Sequence, residues 1–428
     1  MRCVREYVAY IKGFSHNAKL YLWSSLLGSI ASGLTYVVFN LYLLRIGHAE
    51  SFLGQLVFYS AIAGTLFALP AGRASDRFGR RRSLLVSEAV AISAVLAQVV
   101  KPVPGILVPA TVVAGAGWTV NVVSSSPLLV ETSRPEERPH LFGFHSALVM
   151  GASVIGSSLG GLLPKLFSSL MPAAADPVVA LRSTLLVGVA LWAVALLPLI
   201  LMREERRSLS PVSTARSAGW LRVSLSDPRL VAKLLIPTLL IALGAGLIMP
   251  LQNVFMDRYL SATPAQIGLV IGLGSLLTGI ASLVAPILAL RWGKIRAAVG
   301  SQLLSLPFLA VMGLVPYFWV YAVASLIRGA LMNLSNPLIA NFSMEILDPH
   351  ERATVNSLLN MGWSLGWAVS GWAGGWVMQN VSYTLPYAFT FVLYLSSITL
   401  FYRFFRAYDP PLARPVRPAS SPCGAGKG

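Results

Sequence analysis

Acidic residues are scarce in this 428-residue chain: 16 Asp and Glu stand against 33 Lys and Arg, a formal net charge of +17. Charge of either sign is thin, at 11% of residues, where soluble domains carry about 25%. Hydrophobic residues make up 55%, and mean hydropathy is +0.69. There are only two cysteines, Cys3 and Cys423, in opposite tails, which argues against a disulfide framework. No His/Cys grouping has the spacing of a zinc site. A phosphate-binding G-x-x-x-x-G-K-[ST] loop is missing, so ATP is not the evident energy source. A G-x-S-x-G nucleophile elbow is missing as well. The stretch before Leu20 has charges but no short apolar core with a cleavage site, so no removed signal peptide is expected. No site for bond-breaking chemistry emerges and no cofactor is expected, while the composition points to a membrane protein, all-α by the apolar runs that follow.

Apolar runs are what the chain has in quantity. A hydrocarbon layer of roughly 30 Å takes about 20 helical residues to cross, and twelve runs qualify. The first six are Lys19–Ile46, Ser51–Ala71, Ser83–Val100, Gly105–Val130, Leu141–Leu163 and Pro177–Met202. The last six are Leu230–Tyr259, Pro264–Leu290, Arg296–Leu314, Pro316–Ile346, Ala353–Gln379 and Tyr383–Arg406. Five units follow: an N-terminal segment (1–18), a six-helix bundle (19–202), a polar linker (203–229), a second bundle (230–406) and a Pro-, Arg- and Gly-rich tail (407–428) expected to be disordered. In this topology only Arg45, Lys101, Lys165, Arg182 and Arg258 lie on one side and Arg328 lies within a span. Every other basic residue falls on the opposite side, which the positive-inside bias makes cytoplasmic, with both termini. The positive charge therefore reports topology and not a nucleic-acid surface.

Between the second and third runs stands Gly72-Arg73-Ala74-Ser75-Asp76-Arg77-Phe78-Gly79-Arg80-Arg81-Arg82, with five arginines. Each arginine costs roughly 2.5–3.5 kcal/mol at the middle of a membrane helix, so the stretch is expected as a short loop at the surface. The pattern G-x-x-x-D-R-x-G-R-R resembles the loop between helices 2 and 3 of the major facilitator superfamily of secondary transporters. A bare topogenic loop would need the arginines but neither Asp76 nor the glycines.

The chain also repeats itself at a constant offset of 214. Glu131, Pro135, Glu137 and Arg138 lie opposite Glu345, Pro349, Glu351 and Arg352, and Gly160-Gly161 opposite Gly374-Gly375. At the same offset the arginine motif meets Arg291-Trp292-Gly293-Lys294-Ile295-Arg296, a decayed copy without the aspartate. Two related six-helix halves fit the superfamily's parallel repeat, with a substrate site between them near the midplane.

The resemblance implies a gate built from Gly72, Asp76, Arg77, Gly79, Arg80 and Arg81, with Glu131, Arg138, Glu345 and Arg352. Asp76 is expected to face the start of helix 11, whose unsatisfied N–H groups favour a carboxylate. Arg77, Arg80 and Arg81 are expected to reach Glu131. The E-x6-R spacings, Glu131 to Arg138 and Glu345 to Arg352, are similar to inner-surface pairs of sugar porters. Helix 5 carries Gly143, Ala152, Gly156, Ser157, Gly160 and Gly161, which resembles the antiporter motif of drug exporters with Ala152 and Ser157 as departures. Small residues at such spacings also serve close helix packing.

Inside the spans, candidate substrate contacts are Tyr36 and Asn40 on helix 1, Trp118 and Asn121 on helix 4, and Gln252 and Asn253 on helix 7. Arg328, Asn333 and Asn336 on helix 10 and Asn360, Trp363 and Trp367 on helix 11 complete the set. Any one of these asparagines could equally serve as interhelical glue. Arg328 is a functional candidate by virtue of its burial in a span, or else a structural cation bonded to carbonyls or paired with Glu345 or Asp257. Glu88 lies inside helix 3, near the arginines. His145, alone on helix 5, reads as structural.

The function expected is alternating-access transport in the plasma membrane by a monomer, with proton-linked export of amphipathic drug-like molecules as the leading form. Its partners are a small-molecule substrate, protons and the lipid bilayer, with no nucleic acid. The rival forms are uptake or facilitated diffusion of a sugar or other polar solute, and a transport-inactive sensor.

Overall fold

The computed structural model describes residues 13–170, 176–203 and 227–408, and all regular structure among these residues is helical. Most of the expected linker, the tail from 409, and Cys3 and Cys423 lie outside the described residues. The first half comprises α1 (His16–Arg45), α2 (Glu50–Phe78), α3 (Arg80–Val100), α4 (Pro104–Glu131), α5 (Arg138–Leu170) and α6 (Pro177–Leu201). The second comprises α7 (Pro228–Arg258), α8 (Pro264–Trp292), α9 (Lys294–Leu314), α10 (Phe318–Ile346), α11 (Arg352–Asn380) and α12 (Leu385–Phe405). Eleven of the twelve are long and apolar enough to cross a membrane. The one that falls short is α11, diluted by Asn356, Asn360 and Asn380, and it packs against α2 and α7.

Three boundaries differ from expectation. The arginine motif is not a loop: α2 stays helical through Phe78, and only Gly79, at φ +89°, separates it from α3. A 29-residue helix is about 43 Å long at 1.5 Å per residue, so it carries its arginines past the hydrocarbon without unwinding. Gly293 holds the same left-handed conformation, φ +86°, at the α8–α9 junction, a geometry that side-chain-bearing residues disfavour. Helix α5 runs to Leu170 and not Leu163, passing through the buried Pro164. And α7 is broken by a 3-10 turn at Met249–Leu251, where Pro250 has no N–H to donate.

The repeat is built into the packing. Pairs α1·α5, α1·α6, α2·α4, α3·α4 and α3·α6 of the first half recur as α7·α11, α7·α12, α8·α10, α9·α10 and α9·α12. Individual bonds recur at the offset too: Arg80 pairs with Glu131 at 3.2 Å, and Lys294 with Glu345. Asn121 donates to Glu88, and Gln302, the counterpart of Glu88, donates to Ser335, the counterpart of Asn121, at 2.8 Å.

Among the described residues, the buried apolar core that both halves share lies toward one end. Toward the side remote from the arginines, a single apolar cluster draws on both halves, from Leu41, Leu53 and Leu185 to Phe255, Tyr321 and Tyr387. At the arginine-rich end the cores are separate. One holds Leu84, Leu128, Leu141 and Leu199, and another holds Leu234, Phe342, Val355 and Phe405.

Candidate transport cavity

Two crossings between the halves use backbone contact in place of side chains. A Cβ on Gly161 would stand 2.6 Å from the Pro264 carbonyl oxygen, and one on Gly375 would stand 2.5 Å from that of Glu50. Gly54 meets the Gly371 carbonyl oxygen at 2.7 Å in the same sense, and Gly268 meets that of Ser157. These four contacts form two pairs related by the 214 offset, so α5·α8 and α2·α11 are the same joint used twice. Residues this small let backbones approach closely in lipid, where no hydrophobic drive brings helices together. Gly156 and Gly160, on the other side of α5, press on Ile30 and Leu34 of α1. The antiporter-like glycines thus wedge α5 between α1 and α8.

Polar contacts add to the same closure. Arg45 clasps Asp257 through two bonds of 2.8 and 3.0 Å, with the Asp257 side chain only 4% exposed. The broken α7 turn offers carbonyls to α1: Tyr36 donates its hydroxyl to Met249 at 3.2 Å, and Asn40 donates to Pro250 and to Asn253 Oδ1, both at 3.0 Å. Asn253 in turn donates to the carbonyls of Tyr36 and Val37. Tyr383 donates to Glu50 at 2.6 Å. Burial, with the Glu50 carboxylate beside it, pushes the Tyr383 hydroxyl above its ordinary range, so it stays a donor.

Beneath this closure lies a cavity of about 730 Å³ lined by both halves, within the size range of small-molecule sites. Its walls run from Met249 and Arg328 down to Leu84 and Leu199, near the arginine-rich ends of α3 and α6. Of the sequence candidates, Tyr36, Trp118, Asn121, Gln252, Arg328 and Asn333 line it. Asn40 and Asn253 belong to the closure instead. Asn336 donates to Asn333 at 3.1 Å without reaching the wall, and Asn360 donates to the Asn356 carbonyl. Trp363 and Trp367 stack at 6.3 Å as their spacing suggests, yet neither lines the cavity. Spacing shows that residues share a face but not which neighbour that face meets, and α11 is held between α2 and α7.

Sequence reasoning missed a serine stripe. Ser25, Ser29 and Ser32 of α1 line the cavity at helical spacing, with Ser24 beside them. The signal was present as a polar face within an apolar span. Glu88, Tyr21, Trp192 and His145 also line it. His145 is therefore not a packing residue alone: it stacks on Tyr21 at 5.6 Å and its Nε2 lies 3.2 Å from the Ser25 hydroxyl.

Arg328 is 1% exposed. Its Nη2 donates to Tyr394 at 3.0 Å, its guanidinium lies 5.5 Å over that ring, and Nη1 lies 3.9 Å from the Met249 sulfur. Neither expected structural partner is used, because Asp257 is taken by Arg45 and Glu345 by Lys294. Its Nε is buried without a partner.

At the arginine-rich end the motif residues also settle differently from expectation. Asp76 is exposed and pairs with Arg80, at the start of α3 across the Gly79 break, at 2.7 Å, in place of the start of α11. The apolar cores of the halves are separate here, and the carboxylate finds its cation within its own half. Arg80 reaches Glu131, but Arg81 donates to the Leu199 and Ile200 carbonyls at the end of α6, and Arg77 lies over Phe78. Gly72 faces Val123 at ordinary distance. Neither E-x6-R spacing forms an ion pair among the described residues. Arg138 has a buried, unpartnered Nε, and Arg352 donates to the Leu347 carbonyl at 3.3 Å. The cation nearest each glutamate comes from the neighbouring helix start, α3 or α9.

The family model described as Major Facilitator Superfamily matches residues 21–236 and again 234–424, one match per half. Among solved structures, a bacterial homologue of the iron transporter ferroportin in an inward-facing state is similar at 16% identity and TM-score 0.67, covering 91% of this chain and 98% of its own. The nucleoside transporter NupG is similar at 14% identity and TM-score 0.69, covering 92% of this chain and 100% of its own. A D-xylose–proton symporter is similar at 16% identity and TM-score 0.68, covering 93% and 98%. No curated protein matches the sequence.

Proposed function

The chain belongs to the Major Facilitator Superfamily, and from that premise we propose that it exports a small amphipathic molecule by alternating access, in exchange for protons. One observation carries the reading: a single cavity is walled by both halves, sealed at one end by repeat-related glycine joints, and flanked at the other by separate cores. Positive-inside bias makes the arginine-rich end cytoplasmic, so this conformation is inward-open. Because the joints come in related pairs, parting the closed end and joining the open one exchanges the two states by a rocking of halves.

The wall chemistry supports an amphipathic cargo. Trp118 and Trp192 supply aromatic surface, while the α1 serines and Asn333 supply hydrogen bonds. Glu88 is the acid in the wall, and it is the residue we assign to proton exchange. The gate assignment for Asp76, Arg80, Glu131, Lys294 and Glu345 is part of the same proposal. In the outward-open state the two arginine-rich ends come together, and Asp76 is then free to leave Arg80 for the α11 start.

A second reading, uptake or facilitated diffusion of a polar solute, is favoured by the serine stripe on α1. One assay separates the two. The purified protein in proteoliposomes is tested for counterflow without a proton gradient and for flux driven by an imposed gradient. Gradient-dependent efflux of amphipathic aromatic compounds or dyes supports export. Sugar or nucleoside counterflow with no gradient supports the second reading, and neither signal sinks both.

A further inference from the structure

We propose that the transported molecule is an organic anion, and that Arg328 holds its carboxylate, phosphate or sulfonate group. The inference rests on the reading of the cavity as the transport site and narrows its cargo by charge.

Burying a cation is costly unless a counter-charge and hydrogen bonds compensate it. Arg328 has almost none of this compensation. Its contacts are one phenol oxygen, one aromatic face and one thioether, all neutral. Its Nε is buried and points at no acceptor. The acids of the second half that could serve are committed elsewhere, Asp257 to Arg45 and Glu345 to Lys294. Across the cavity, the Glu88 carboxylate accepts from Asn121 and forms no ion pair with Arg328 among the described residues. A guanidinium carries five donors in a planar fork suited to an oxyanion, and here part of the fork is held in place while part is left over. Tyr394 on α12 fixes one arm, which orients the group before any ligand arrives.

Space lies beside it. Gly329, the next residue on α10, lines the same cavity, and a Cβ built there would meet nothing within 4 Å. Ser325, Arg328 and Gly329 share one helical face, and Gln252 of α7 lines the wall as well. The site is therefore a charged fork beside an open step in the wall, with amide and hydroxyl groups nearby. An anion fits both the charge and the room, whereas an organic cation would add to an uncompensated positive charge.

Calorimetry on the full-length purified protein tests this with benzoate, phenyl phosphate, benzenesulfonate, neutral benzamide, cationic benzylamine and inorganic phosphate. At least one aromatic anion is expected to bind tenfold or more tightly than benzamide, with benzylamine weakest. Arg328→Gln should bring anion and amide within twofold, and Gly329→Val should weaken the anion at least fivefold while keeping the charge. The second variant guards against misfolding of the first, and size-exclusion profiles report on both. Competition by inorganic phosphate alone would make free phosphate the occupant; its failure to compete would mark the organic anion. Equal binding of benzamide and anion by the native protein, or a preference that survives Arg328→Gln, overturns the inference while leaving the transport site intact. If no probe of any charge binds and none is transported, the transport-site reading falls, and the inference with it.

Discussion

Arg45 and Asp257 join the first and second halves by a two-bond ion pair, with the aspartate nearly sealed from solvent. They lie at the closed end, where α1 ends and the broken α7 resumes. In a two-state protein such a contact exists in one state and must be undone for the other.

Asp257→Asn should therefore tilt the population away from this conformation. The substitution leaves a partly buried arginine without its carboxylate, a loss of about 2 kcal/mol, which changes a two-state ratio by roughly tenfold or more. Spin labels at the exposed Lys101 and Ser261 should show a longer, broader distance distribution than in the native protein. An unchanged distribution would remove the pair from the gate.

The glycine joints allow a stricter test because they come in copies. Gly161→Val and Gly375→Val each place a branched side chain against a backbone carbonyl, which cannot swing aside as a side-chain tip would. Both variants should fold, fail to close this end, and lose at least nine-tenths of transport, with the same label distances opening in each. If one behaves natively while the other fails, the joints are not functional equivalents despite their shared offset.

Much of this was legible beforehand because membrane-spanning helices must satisfy their own backbone, which ties hydropathy directly to fold. The offset of 214 carried further than expected: it relates Gly79 to Gly293, Arg80 to Lys294, and Glu88 to Gln302 in conformation or bonding. The site was read less well, for two physical reasons. Helical spacing placed Trp363 beside Trp367 but could not say that α11 turns them from the cavity. Hydrogen-bonding strength drew attention to asparagines, whereas the wall of α1 is made of serines, which an apolar helix tolerates individually and which become visible only as a stripe. The motif names one partner for Asp76, whereas a residue that gates needs a partner in each state.

In this conformation Asp76 makes only an exposed pair with Arg80 across the Gly79 junction, and an exposed pair is worth about 0–1 kcal/mol. Asp76→Asn should accordingly leave the unfolding temperature within about 2 °C of native. If the carboxylate docks on the start of α11 in the outward-open state, turnover should nevertheless fall tenfold or more. Native turnover would reduce the motif to a topology signal.

Glu88 gives the most discriminating variant, because the molecule already contains its neutral counterpart. Gln302 occupies the equivalent place in the second half and bonds Ser335 just as Glu88 is bonded by Asn121. A glutamine is thus known to suit this helix pair, and Glu88→Gln should fold without penalty, retaining the bond through its amide oxygen. The other titratable groups of the wall, Tyr21, Tyr36, His145 and Arg328, are unaltered by it. If Glu88 carries the exchanged proton, the variant should still catalyse substrate-for-substrate exchange at more than half the native rate. It should lose gradient-driven accumulation, because a side chain that never ionises cannot couple its charge to a proton gradient. Parallel counterflow and gradient-driven assays in proteoliposomes separate the two activities, and accumulation at the native level would move the coupling proton to another residue.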